Sequence, residues 1–166
     1  MKMKKLVKIL SLCLVLTMAL TLFTACGGKE EKNTLVMATS PDFPPFEYLE
    51  GSEVVGIEVD IMKKIAEKMG KELVIEQMDF DSVIPGVQAG KFDVGVSGIT
   101  ATEERKQNVD FTATYATGVQ AIIVKENSPI TCVDDLYAEG ASYKIGVQES
   151  TTGDIYCSDD FGTENV

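Results

Sequence analysis

From Thr34 onward the sequence predicts an α/β fold organised around a parallel sheet. Short apolar runs bounded by turn formers alternate with segments whose apolar residues recur at helical spacing, and glycines stand where those helices should end. Strand, helix, strand, helix, strand is the pattern of parallel pairing, and right-handed crossovers then place the helices on both faces. With 45% hydrophobic and 25% charged residues among 166, the composition is that of a globular protein rather than a disordered one.

Thr34 to Thr39 reads as a buried first strand. In the stretch from Ser40 to Tyr48, Pro41, Pro44 and Pro45 forbid a helix and hold an extended, stiff loop. Glu50-Gly51-Ser52-Glu53 is a turn. Between Glu58 and Met69 the residues Val59, Ile61, Met62, Ile65, Ala66 and Met69 keep helical spacing, and Gly70 stands at the C-terminal cap. Glu72 to Met78 is a second strand. Asp79-Phe80-Asp81-Ser82 offers caps for a short helix to Ala89, with Pro85 expected near its first turn and Gly90 ending it. Lys91 to Val96 is a third strand, and Thr102 caps a helix that begins Thr102-Glu103-Glu104-Arg105. Gly118 to Val124 and Lys144 to Val147 are strand-like, Val133 to Ala138 is a brief helix, and Ser150-Thr151-Thr152-Gly153 opens a last one. The second α/β unit, beginning near Gly118, has no completed sheet by Val166, so the expectation is a piece of a longer protein whose second half packs poorly and exposes apolar edges.

Residues 1–25 read as an export address. Lys2, Lys4, Lys5 and Lys8 precede an apolar run from Ile9 to Ala25, the layout of a secretory signal and somewhat short of the roughly 20 apolar residues of a membrane anchor. Phe23-Thr24-Ala25-Cys26 resembles the lipobox of bacterial lipoproteins, in which the cysteine is acylated and becomes the new N-terminus. Phe23 stands where that motif usually has Leu. Residues 26–33 then form a polar tether. Removing 1–25 takes away four lysines and no acids, so the net charge of −11 becomes −15 on the exported body. Of the four cysteines, Cys13 leaves with the signal and Cys26 carries lipid. Cys132 and Cys157 read as ordinary thiols, with a disulfide between them left open by the export.

Composition excludes several chemistries. The chain has no His, so a His-based triad, a His-ligated zinc site and a His general base are absent. The acidic balance opposes nucleic-acid binding. Close Cys pairs and a Gly-rich loop ending in Lys-Ser or Lys-Thr are missing as well, so neither a metal site nor a cofactor is expected.

Three places gather polar groups suited to one small ligand. Arg105 is the only arginine beside fourteen lysines, and its planar fork of donors matches a carboxylate bidentately. An ion pair with Glu103, Glu104 or Asp110 is an equal reading from spacing alone. Ser97-Gly98-Ile99-Thr100 lies beyond a strand's C-terminal end, where ligands bind in open parallel sheets and glycine admits close approach. Ser150-Thr151-Thr152-Gly153 places N–H groups and hydroxyls at a helix N-terminus, an anion site or simply a cap. Phe43, Phe46 and Phe80 occupy neighbouring strand-to-helix loops, where an aromatic lid competes with core packing.

These runs resemble a known family. Gly56-Ile57-Glu58-Val59-Asp60, Asp79 to Pro85, Gly90-Lys91-Phe92-Asp93, Ser97 to Arg105, Val109-Asp110-Phe111 and Gly146-Val147 to Thr152 are similar, in order and spacing, to bacterial extracellular solute-binding proteins of family 3. The resemblance covers residues 34–157. It implies a periplasmic-binding-protein-like type II fold, two-lobed with a hinge, with lobe 1 at 34–117 and a hinge strand and partial lobe 2 at 118–166. It also implies a monomer that captures an amino acid and delivers it to the ABC permease in the plasma membrane, held there by its lipid anchor.

By the same resemblance, Arg105 clamps the ligand α-carboxylate, aided by the backbone N–H of Thr100 and of Thr152. The Gly98 carbonyl and Thr100 hydroxyl receive the α-ammonium, while Phe43 and Phe80 pack on the side chain. Charge-assisted bonds of about 1.5 to 3 kcal/mol each make Arg105 the dominant contact. Two departures stand out: Ser150 replaces the family's usual Gly, and the acidic partner of the α-ammonium falls beyond Val166. The fold also supports a periplasmic cyclohexadienyl dehydratase and receptor sensing modules. An enzyme needs a placed acid or base, for which only carboxylates, lysines and tyrosines are on offer, and no later apolar span serves a receptor.

Overall fold

The structure, a computed structural model, describes residues 33–138, 140 and 142–166. The segments expected to be the export signal, the lipobox with Cys26 and nearly all of the tether lie outside the described residues. Thr34 to Val166 forms one compact unit.

Strand β1, Thr34–Thr39, is the centre of a three-stranded parallel sheet. It pairs along one edge with β5, Glu72–Gln77, from Thr34 opposite Glu72 to Thr39 opposite Gln77. On its other edge it meets the short β6, Val94–Gly95, in the register Met37 to Val94 and Ala38 to Gly95. The expected third strand of Lys91 to Val96 is thus shorter as a ladder, although Asp93 and Val96 N–H groups still donate to Val36 and Ala38 carbonyls. A second, antiparallel sheet orders β2 (Asp42–Phe43), β3 (Glu47–Glu50) and β4 (Glu53–Val55), so the proline-rich stretch contributes pairing strands and not only loop. The expected turn at 50–53 joins β3 to β4, with Gly51 at a φ of 66°.

Helix α1, Ile57–Met69, begins one residue before the expected stretch and ends at left-handed Gly70, as its sequence foretells. Its apolar residues divide between two faces. Val59, Met62 and Ala66 join Leu35, Met37 and Val54 in the core, with Leu73, Ile75, Val94 and Val96 around them. Ile57, Ile61, Ile65 and Met69 form an exposed stripe. Helix α2, Phe80–Gln88, lies between β5 and β6 in sequence and packs on β1 and β6. Pro85 is its sixth residue, beyond the first turn, so the Asp81 carbonyl loses its helical donor. Val83 is fully buried, and a Cβ at Gly95 would lie 2.8 Å from its Cγ1, so glycine sets how closely α2 approaches the sheet.

Path direction reverses at β1. The chain moves outward to β5 and returns past β1 to β6, which with right-handed crossovers puts α1 and α2 on opposite faces. The C-terminal ends of β1 and β6 therefore flank the point where the connections part, the ligand crevice of open α/β sheets.

Beyond Gly98 four expectations change. The helix after Thr102 is a single 3-10 turn, Arg105–Gln107. Its N-cap is Glu104, without a side-chain cap bond, and not the expected Thr102, whose Oγ nonetheless accepts the Arg105 N–H at 3.2 Å; the Asn108 amide occupies the Glu104 carbonyl and competes with a further turn. Gly118 to Val124 and Lys144 to Val147 form no strands, because no ladder partner stands beside either among the described residues. Val133–Tyr137 is a 3-10 turn in place of the brief helix. Helix α3, Thr152–Phe161, forms as expected, with Thr151 as N-cap accepting the Asp154 N–H. Cys132 and Cys157 are free thiols.

Candidate functional site

The crevice between β1 and β6 is built from their last residues outward. Ser97 follows β6 and is buried; its Oγ accepts the Ser40 N–H at 3.0 Å and lies 3.2 Å from the Ser40 carbonyl. Gly98, at a φ of 56°, turns the chain outward, and the Phe43 ring lies so close that a Cβ there would be 3.0 Å from its Cδ1. Phe43 is itself half-exposed and stacked on Phe46 at 5.4 Å between ring centroids. One aromatic surface therefore borders the turn, in a place where a side chain at position 98 would be excluded.

Arg105 lies on the other side of the crevice. Only 8% of it is exposed, yet it forms no ion pair among the described residues, so the expected alternatives Glu103, Glu104 and Asp110 are not its partners. Its Nη1 donates to the Thr100 carbonyl at 2.9 Å and its Nη2 to the Ser150 carbonyl at 2.7 Å, and the guanidinium carbon sits 5.7 Å from the Phe80 ring centroid. Burial lowers the guanidinium from its ordinary pKa, and the Glu104 carboxylate offsets part of that. Two of its five N–H groups are used in these bonds. An arginine tethered by backbone carbonyls and flanked by an aromatic face is fixed in direction without being neutralised.

Ser150 supplies one of those carbonyls from a φ of 63°, the conformation that glycine holds most easily. Ser150, where a Gly is usual in the family that the sequence resembles, holds this left-handed backbone at the cost of strain. The Ser150 N–H donates to Asp154 Oδ2 at 2.7 Å, and Thr152, buried at the start of α3, accepts the Gln120 amide on its Oγ at 2.8 Å. The loop closes on β2 through Gln148, whose amide donates to Asp42 Oδ2 at 2.8 Å; the Ser40 hydroxyl reaches the same oxygen at 3.2 Å. One chain of hydrogen bonds thus runs from Ser97 through Ser40 and Asp42 to Gln148, and a second joins Thr100 to Ser150 through Arg105.

Of the residues singled out in the sequence, Phe80, Thr100 and Arg105 meet directly, and Phe43 meets Gly98. Thr152 stands two residues from the Ser150 carbonyl that Arg105 holds. Sequence reasoning missed a pair of buried acids beside Ser97 and Gly98. Glu47 and Glu58 are 0% and 1% exposed. Both Glu58 oxygens lie 3.1 Å from the Gly98 N–H, the Tyr115 hydroxyl donates to Glu58 Oε1, and Ser97 Oγ meets Glu47 Oε1 at 3.1 Å. The signal for Glu58 was present: with Met62 and Ala66 it repeats every four residues along the buried face of α1. Glu47, between Phe46 and Tyr48 on a two-sided strand, gave none. Burial, reinforced by the neighbouring Glu58 carboxylate, pushes Glu47 up to about 9.

Residues 35–158 match the family described as bacterial extracellular solute-binding proteins, family 3. The chain is 38% identical over 148 residues to the arginine-binding extracellular protein ArtP of Bacillus subtilis, covering 86% of this chain and 58% of that protein. It is also 38% identical over 119 residues to a probable histidine-binding protein of Campylobacter jejuni, covering 71% and 45%. Among solved structures, the arginine-bound truncated ArgBP of T. maritima superposes with a TM-score of 0.73 at 39% identity, covering 81% of this chain and 63% of that one. The chain spans about half the length of the curated relatives it matches. Its fold is that of the periplasmic amino-acid-binding proteins, type II, and the chain belongs to the bacterial extracellular solute-binding proteins, family 3.

Proposed function

We propose that this protein is the extracytoplasmic solute-binding component of an ABC importer, capturing an amino acid and delivering it to a membrane permease. The observation that carries the reading is Arg105, buried yet unpaired with any acid among the described residues, held between the Thr100 and Ser150 carbonyls above Phe80. A carboxylate approaching its free N–H groups gains a charge-assisted, bidentate contact. The N–H groups of Thr100 and Thr152 complete the carboxylate site, the Gly98 carbonyl and Thr100 hydroxyl take the ammonium, and Phe43 and Phe80 line the side-chain path. Residues 34–117 act as the first lobe, and 118–166 as hinge segment and part of the second. Binding proteins named for arginine and histidine among the relatives make cationic amino acids the first candidates. In this reading Cys26 carries the lipid that keeps the protein at the membrane.

Thermal melting with L-arginine, L-histidine and L-glutamine at millimolar concentrations tests the assignment. A saturable rise in Tm that disappears in Arg105→Ala supports it, with an affinity loss of at least roughly 10- to 150-fold, the worth of one charge-assisted bond. A rise that survives Arg105→Ala removes the clamp. Incorporation of a palmitate analogue that is lost in Cys26→Ser checks the anchor.

A further inference from the structure

Beneath the ligand loop lies a feature that binding alone does not require: two carboxyl groups buried together without a cation. We propose that Glu58 is the positioning residue of the ligand loop and that Glu47 holds a proton shared with it, so that one proton decides how firmly Gly98 is fixed.

Glu58 takes only donors, from the Gly98 N–H on both oxygens and from the Tyr115 hydroxyl on Oε1. Gly98 is the residue whose left-handed turn aims the loop toward Thr100 and Arg105. Tyr115 belongs to the segment leading away from the first sheet, so Glu58 ties that segment to the same turn. Glu47 completes the arrangement. Ser97 Oγ meets its Oε1, its Oε2 is buried with no N–H or O–H donor, and its carboxyl lies within hydrogen-bond reach of Glu58. A proton on Glu47 converts that orphan acceptor into a donor to Glu58 and satisfies both groups.

The titratable groups facing the pair are Asp42 from β2 and Tyr115, and neither supplies positive charge. No lysine or arginine pairs with either carboxylate among the described residues. Ser40, Ser97 and Thr39, on the elements packed against the pair, do not titrate. Losing the Glu47 proton therefore leaves two buried negative charges facing each other, a state relieved only by separating them. Separation moves either β3 or the start of α1, and with α1 moves the acceptor of Gly98. Burial holds Glu47 near 9, so the proton stays on at neutral pH and leaves in mild alkali. Tyr115 is raised as well, by burial first and by Glu58 second, and keeps its donor through that range.

The consequence for ligand capture rests on the proposed function, whereas the acid pair itself does not, and two measurements separate them. In protein labelled with 15N-glycine, the Gly98 amide should lie downfield at pH 7 and move with a single midpoint near pH 9. Glu47→Gln, a neutral isostere, should keep the downfield position and abolish the titration; Glu58→Gln should lose the downfield position at every pH. A Gly98 resonance that is flat in the wild type between pH 7 and 10, or that still titrates in Glu47→Gln, overturns the proposal. The flat wild-type outcome decides the matter even if a variant fails to fold. Calorimetric titration with L-arginine at pH 7 and pH 10 then tests the coupling. The wild type should lose several-fold more affinity than Glu47→Gln, since deprotonation of the arginine itself is common to both. Equal losses overturn the coupling, while no arginine binding in either protein counts against the amino-acid reading and leaves Gly98 to judge the pair.

Discussion

Residues 34–100 and residues 112–166 carry the same kind of sequence signal and meet different fates. In the first region, the apolar run of β1 has a parallel neighbour on each edge, and Met37 and Ala38 are fully buried. In the second, Gly118 to Val124 is equally apolar and free of charge, yet Val119 is 91% and Ile123 96% exposed. A β-prone run states a readiness to pair and nothing about whether a partner is present. The first region holds its own partners because two crossovers bring β5 and β6 back to β1. The second holds a helix and turns and no sheet among the described residues: Thr151 caps α3, Asp135 gathers the Thr131 and Cys132 N–H groups, and single side-chain bonds such as Gln148 to Asp42 and Tyr115 to Glu58 tie it back to the first region.

Truncating one residue on each side gives the largest contrast. Met37→Ala opens a cavity under the central strand and should cost about 2 to 5 kcal/mol in urea unfolding, whereas Ile123→Ala should change stability by no more than about 0.5 kcal/mol. A comparable cost at Ile123 would break the comparison, showing that the segment is buried in solution. Next in size is Gly95→Ala, which forces a methyl against Val83 and should cost about 1 to 3 kcal/mol. The same substitution at Gly118, whose surroundings are open, should be near neutral.

Proton linkage also belongs to the first region. Glu47 binds its proton more tightly folded than unfolded, so the native state holds more protons between the ordinary glutamate range and about pH 9. Stability from this group is then fully present below the unfolded pKa and is lost as pH rises toward the folded one. Melting temperature should decline across that window in the wild type and decline less in Glu47→Gln. Parallel curves for the two proteins would place the buried acid elsewhere.

The parallel strands at 34–39 and 72–77, the helix with its Gly70 cap and the helix that opens within 150–153 were legible because each is a local pattern. Arg105 was legible by its uniqueness among the basic residues. Its partners were not, since the Thr100 and Ser150 carbonyls belong to the backbone and carry no residue signature. The acid pair was hidden differently: Glu58 obeys the buried period of α1, but an acid on an apolar face reads as an exception until a second buried group answers it. The strands at 118–124 and 144–147 failed for a further reason, because strand formation is a property of two segments and the sequence shows them one at a time.

The smallest effect tests the Ser150 turn that ties the second region to Arg105. Ser150 pays for a left-handed backbone roughly 1 to 2 kcal/mol, and its turn is held by the bond from its N–H to Asp154 and from Arg105 to its carbonyl. Ser150→Gly keeps both bonds, since neither uses the side chain, and relieves the strain. Glycine also widens the unfolded ensemble by about 0.5 to 1 kcal/mol, so the net gain should be about 0.5 kcal/mol. Ser150→Val, branched at Cβ and unable to relax there, should lose the turn and free Arg105 from one of its two tethers. If glycine and valine behave alike in urea unfolding and in the chemical shift of the Arg105 side chain, the turn is not formed in solution. Arg105 would then keep only its tether to the Thr100 carbonyl.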